Sequence, residues 1–411
     1  MNYHVSKTND VLSLIEDGSL VLLTSGRPLK KSADENYPFC ANRNFLYLTG
    51  IDEPEVVLVL IKTGRIRHKK LFIKKADPQM EKWVGKTISA KDAHQLSGIE
   101  DIAYLDELKD YLKQMLAEHR LNNVYIDDEE DELVHFAKDL LRKYAFLKQL
   151  KVLNIYEMLA AMRSIKEKEE VTAMRQAITV TNRGIMRMLE YMRPGMLESE
   201  IEAHFDFILR SHKVDYAFNT IAAGGSRGTT LHYMANNQPV LDQELILFDL
   251  GATHEHYCAD ISRTFPINGK FTPRQKTIYE IVLLAQKNVI KAVKPGVTIN
   301  DLQRITVETY QQELKRIGLI KDGSIEEVRR YYYHGVSHSL GLDTHDVGLE
   351  RNEPLVPGCV ITVEPGLYLE EEAIGIRIED DVLVTEKGCE VLSKEIIKEV
   401  SDIEAYFQRR G

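Results

Sequence analysis

The chain has 411 residues, length for two or three domains, and its 44% hydrophobic and 28% charged residues exclude a disordered chain. A net charge of -10, from 63 acidic and 53 basic residues, disfavours nucleic acid as a partner. Cys40, Cys258, Cys359 and Cys389 form neither a CxxC pair nor a disulfide framework, which fits a reducing, cytoplasmic setting. No apolar stretch approaches the roughly 18 residues that span a bilayer, and the opening MNYHVSKTNDVLSLIEDG lacks the pattern of a signal peptide.

Residues 1–155 alternate short apolar runs with helical segments. Leu20–Thr24, Val56–Ile61 and Leu71–Ile73 read as buried strands, and Leu108–His119 and Leu133–Tyr144 as amphipathic helices. The pattern predicts an α/β domain. Charged, helix-prone residues 156–170 read as a linker helix, with Lys166–Glu170 as a solvated face. Residues 171–411 form the second domain. Here a helix over Val171–Met192, the break Pro194-Gly195 and a helix over Ser199–His212 are echoed by Arg274–Val293, Pro295-Gly296 and Asn300–Ile317. This weak duplication predicts pseudo-twofold symmetry, against chance similarity of two helix pairs.

The chemistry-bearing residues lie in this second half. A buried run, Leu245–Phe248, ends on Asp249, and Asp260 follows across a hairpin. Either aspartate alone is more often a turn or cap residue. His254 and His256 sit at the hairpin tip and read as solvated. His334, His338 and His345 then cluster in a chain with only 13 histidines. Glycines around them disfavour a metal-binding helix, so a loop or irregular strand is expected. The run Val360–Val363 ends on Glu364, and Arg377 and Glu379 share one face of a strand over Gly375–Asp381. Carboxylates on buried strand ends need a compensating cation. Four of them with an imidazole hold about four negative charges, which two divalent ions nearly balance, and hard oxygen ligands favour Mn²⁺. The glycine-rich stretch Gly224–Gly228 lacks the phosphate-loop pattern.

The stretches Phe248–Gly251, Ala259–Phe265, His334–Asp346, Thr362–Tyr368 and Gly375–Asp381 resemble, in order and spacing, the motifs of the pita-bread metallopeptidases. With Leu231-His232-Tyr233 and the run Asn42–Pro54 ahead of Trp83-Val84-Gly85, the whole chain is most similar to the Xaa-Pro aminopeptidases. The resemblance implies a creatinase- and ribonuclease-H-like α/β N-terminal domain and an α+β pita-bread catalytic domain. It implies metal ligands Asp249, Asp260, His338, Glu364 and Glu379 and a nucleophilic hydroxide bridging two metals. Glu364 would accept its proton, and His232 and His345 would steady the carbonyl oxygen. His334 would line the proline pocket, Arg351 would take a substrate carboxylate, and Arg377 would orient a ligating carboxylate such as Asp260 or Glu379. The implied substrates are peptides with proline second, and the implied assembly is a homo-oligomer in which the Trp83 region helps wall the cleft. A Xaa-Pro dipeptidase, or prolidase, with the same cage is the alternative; a peptidase-shaped binding module would have lost cage residues, and none is lost. The turn over Gly225–Thr230 and the short loop after Tyr368 depart from the family pattern without touching a ligand.

Overall fold

A computed structural model of the chain describes residues 3–118, 121–127, 142–143, 146, 150–348 and 350–410. The helix expected over Leu133–Tyr144 falls almost wholly outside them. Two compact units divide the chain, Met1–Ala160 and Ala161–Gly411.

The first unit is built on six strands: β1 (Ser19–Thr24), β2 (Val57–Thr63), β3 (Ile66–Ile73), β4 (Ile102–Tyr104), β5 (Asn123–Ile126) and β6 (Lys151–Asn154). Their spatial order is β4-β3-β2-β1-β5-β6, with β1–β2 and β2–β3 antiparallel and the remaining pairs parallel. Both faces of β1 are buried, which is why it reads as an unbroken apolar run rather than an alternating one. Leu20 and Leu22 on one face meet Leu108, Leu112 and Leu116 of helix α1 (Leu108–Glu118), whose four-residue spacing puts them on a single stripe.

The expected linker helix is two helices, α2 (Tyr156–Ser164) and α3 (Lys168–Tyr191). They part because the Lys166 amide donates to the Gly358 carbonyl instead of continuing the helical ladder. Nor is Lys166–Glu170 a solvated face at its ends. Lys166 and Glu170 are buried, Lys166 against the Asp346 carboxylate at 3.3 Å and Glu170 accepting from the Tyr257 hydroxyl at 2.8 Å. Each charge has a partner that makes its burial tolerable.

In the second unit, α3 and α4 (Glu198–His212) precede an antiparallel sheet of β7 (Ile221–Gly224), β8 (Leu245–Leu250) and β9 (Ile261–Pro266), with β8 central. Helices α5 (Pro273–Ala292) and α6 (Ile299–Arg316), followed by the short α7 (Ile325–Arg329), precede a second set: β10 (Val360–Val363), β11 (Gly366–Leu369), β12 (Ile374–Arg377), β13 (Asp380–Val384) and β14 (Cys389–Val391). There β10-β13-β14 form one sheet and β11-β12 a hairpin. The duplication reaches individual hydrogen bonds. Gly195 and Gly296 both adopt positive φ, 92° and 89°, where side chains are strained. Gly195 donates to the Val240 carbonyl while Val240 donates to that of Met196; Gly296 donates to Leu355 while Leu355 donates to Val297. Chance similarity of two helix pairs would not repeat this reciprocal pairing. Ile361 and Val363 of β10 pack with Val289, Val293 and Leu302 of the α5–α6 pair. The alternation of a strand then turns Thr362 the other way, toward the site.

Candidate active site

Asp249 on β8 pairs in register with Ser262 on β9, and Asp260 immediately precedes β9. The hairpin between them is real, with Thr253–His254 paired to Tyr257–Cys258. Within 334–348, residues 336–340 run beside β10 with a single bridge, Ser339 to Ile361, and 341–345 leave it in bends. The His338 amide donates to Thr362 Oγ1 at 3.2 Å, and the Thr362 amide returns to the His338 carbonyl at 3.0 Å. Glu364 follows β10, its amide donating to the Val336 carbonyl. The continuous strand expected over Gly375–Asp381 is instead broken at Ile378–Glu379. Arg377 belongs to the β11–β12 hairpin while Asp380 pairs with Val363 of β10, so the chain changes sheets between them. Glu379 lies at that switch, its amide on the Ser262 carbonyl at 3.0 Å and its Oε2 accepting from Ser262 Oγ at 2.8 Å.

These backbones converge. One ligand-type atom each of Asp260, His338 and Glu379 lies within 4.8 Å of the others. His338 Nδ1 sits 3.0 Å from the Ser339 carbonyl, which fixes the proton there and leaves Nε2 as a lone-pair donor. Nε2 faces Asp260 Oδ2 at 3.4 Å and Glu364 Oε1 at 3.6 Å. Asp249 Oδ2 accepts from Arg377 at 2.6 Å, while its buried Oδ1 has no partner among the described residues. Burial, then the neighbouring carboxylates Glu379 and Asp249, push Glu364 up to about 8. Burial and repulsion also raise Asp260 and Glu379 well above the ordinary carboxylate range. A cluster so short of positive charge fits divalent cations, and the orphaned Asp249 oxygen points to the same need.

Arg377 is buried and serves a carboxylate of the expected ligand set, though that carboxylate is Asp249 rather than Asp260 or Glu379. Its Nε donates to Ser262 Oγ at 2.7 Å, so it reaches Glu379 only through that hydroxyl. The reason is register: Ser262 stands opposite Asp249 and between the two carboxylates. Arg377 also donates to the Tyr368 hydroxyl at 3.1 Å, which lies 2.9 Å from His334 Nε2. Since the guanidinium can only donate, the phenol donates its O–H to the imidazole Nε2. Burial, then Arg377, lowers His334 to about 4, and burial first raises Tyr368 to about 12, so both are neutral near pH 7.

His232, His345 and Arg351 join the cage residues around a cavity of about 350 Å³. The His345 ring meets that of His338 edge-on at 4.3 Å, and burial and the neighbouring His338 lower its pKa. Sequence reasoning passed over two features. Tyr368 stood at the end of a motif with no role. Asp346, next to His345, is clamped by Arg163 at 2.5 Å and Lys166 at 3.3 Å. Pairs so distant along the chain leave no local signal.

Residues 172–386 match the model of metallopeptidase family M24, and residues 4–125 match that of the aminopeptidase P N-terminal domain. The chain belongs to metallopeptidase family M24. The chain is 35% identical to the Xaa-Pro aminopeptidase of Haemophilus influenzae, over 96% of its own length and 94% of that protein. It is equally identical, 35%, to the Xaa-Pro aminopeptidase of Escherichia coli, over 95% and 94%. A solved structure of E. coli aminopeptidase P with the inhibitor Pro-Leu superposes with a TM-score of 0.92 at 33% identity, covering 99% of this chain and 98% of that one. The family fold is thus the expected one, an aminopeptidase P-type N-terminal domain followed by an M24 pita-bread unit.

Proposed function

We propose that this M24 metallopeptidase removes the N-terminal residue from peptides whose second residue is proline. The observation that carries the reading is the convergence of Asp260, His338 and Glu379, with Glu364 and the orphaned Asp249 oxygen beside them. These five residues would hold two divalent ions, Mn²⁺ by the hard-ligand argument, which when bound supply a water acidic enough to attack near neutral pH. Glu364 takes up a proton on its carboxylate during the attack and returns it to the departing proline nitrogen. His232 and His345 donate hydrogen bonds to the carbonyl oxygen as negative charge grows there. His334, kept neutral and fixed by Tyr368, forms the wall against which the proline ring packs. An Xaa-Pro nitrogen carries no N–H, so this site needs shape rather than a recognition acceptor. Arg351 is exposed at the cavity edge, suited to a carboxylate further along the peptide.

We also infer a cytoplasmic homo-oligomer. None of the four cysteines is in a disulfide, and no described helix is long and apolar enough to cross a membrane. A substrate-length series tests the main reading. Xaa-Pro-Yaa tripeptides and longer peptides should be cleaved at least as well as Xaa-Pro dipeptides, and Xaa-Ala-Yaa far more slowly. Turnover of dipeptides alone would make the protein a prolidase.

A further inference from the structure

The catalytic cavity has a larger neighbour across His334, Gly335 and Arg351. These three residues line both, and the neighbour, of about 920 Å³, is flanked by α6 and α7. A space of this size, sharing three wall residues with the site, has room for several peptide residues. Its walls carry apolar surface from Val307, Ile325, Val328 and Tyr333, and its charge is one-sided. Arg304, Arg329 and Arg351 line it against a single carboxylate, Glu308. Glu308 is already engaged, 3.0 Å from Arg304, which also meets Asp301 at 3.4 Å. Arg329 and Arg351 have no carboxylate partner among the described residues, and both are exposed. The positive charge left over therefore belongs to those two arginines.

We propose that this cavity is an extended substrate site that receives the peptide downstream of proline and favours acidic residues there. The proposal rests on the aminopeptidase reading above. Bound peptide would leave the cage past His334 and Arg351 and lie along α6 and α7, with acidic side chains at its fourth and fifth residues facing Arg329. Exposed charge pairs contribute little each, so the effect is one of preference, about two- to fivefold per pair, and it is screened by salt.

The experiment uses pentapeptides Ala-Pro-Ala followed by two glutamates, two alanines or two lysines, each rate divided by that of the tripeptide Ala-Pro-Ala. Wild-type protein should prefer glutamate over lysine at low ionic strength and lose most of that preference at high salt. Arg329→Ala should weaken the preference and Arg329→Glu should reverse it, chiefly through KM. Equal rates for the three pentapeptides, or an unchanged preference in Arg329→Glu, would overturn the proposal while leaving the aminopeptidase reading intact. Failure to cleave the tripeptide at all would instead overturn the aminopeptidase reading, and this proposal with it.

Discussion

Replacing Asp346 by asparagine should loosen the loop that carries His345, by an amount the structure allows to be worked out. The Asp346 side chain is 1% exposed and lies between Arg163 and Lys166, which are 2% and 1% exposed. Asparagine keeps the shape but removes the carboxylate charge that both buried cations share; Asp343, 3.3 Å from Arg163, is 41% exposed and compensates less. Removing one partner from a buried ion cluster costs about 3–5 kcal/mol, a large part of the roughly 5–15 kcal/mol that stabilises a typical domain. The single tryptophan, Trp83, lies in the other unit, so its fluorescence is the wrong probe. Amide exchange over residues 334–348 is the right one. Part of the Asp346 amide's protection comes from its bond to the Ser339 carbonyl. A loss of 3–5 kcal/mol should speed exchange by about 10²–10⁴-fold. Adding Lys166→Met should recover part of the loss, because it removes one of the stranded charges. Exchange within about threefold of wild type in Asp346→Asn would refute the reasoning.

Three further outcomes are expected. Asp260→Ala or Glu379→Ala should abolish peptide cleavage and lower bound metal measured by elemental analysis, since each removes an anionic donor; full metal content at a normal rate would remove that residue from the cage. His232→Ala and His345→Ala should keep their metal and lose about 10²–10³ in kcat, the typical loss for one stabiliser of a developing oxyanion; metal loss would make them ligands. Glu364, pushed up to about 8, holds its proton at pH 7 in the metal-free protein. Metal uptake at pH 7 should therefore release protons, and affinity should weaken as pH falls below about 8. A binding enthalpy independent of buffer ionisation heat would contradict this.

Much of this was legible in the sequence because local chemistry announced it. Strand runs ending on Asp249 and Glu364, and the histidine density around His338, survive as geometry because a strand end is fixed by its own residues and neighbours. The Pro-Gly repeat was legible for the same reason, since a positive-φ turn demands glycine at Gly195 and Gly296. What was missed depends on register across the fold. The sheet switch at Glu379, the choice of Asp249 as partner of Arg377, and the burial of Lys166 against Asp346 are all set by segments distant along the chain. A charged run such as Lys166–Glu170 carries no mark of its future partners, so its burial emerges only with the tertiary structure.

The most direct test of the central claim is a titration of chelator-stripped protein with Mn²⁺ while the release of free alanine from Ala-Pro-Ala is followed. The account predicts no release from the stripped protein and a rate that rises to a plateau at two ions per chain. Release at full rate without added metal, or a plateau that Mn²⁺ leaves at zero, would contradict it.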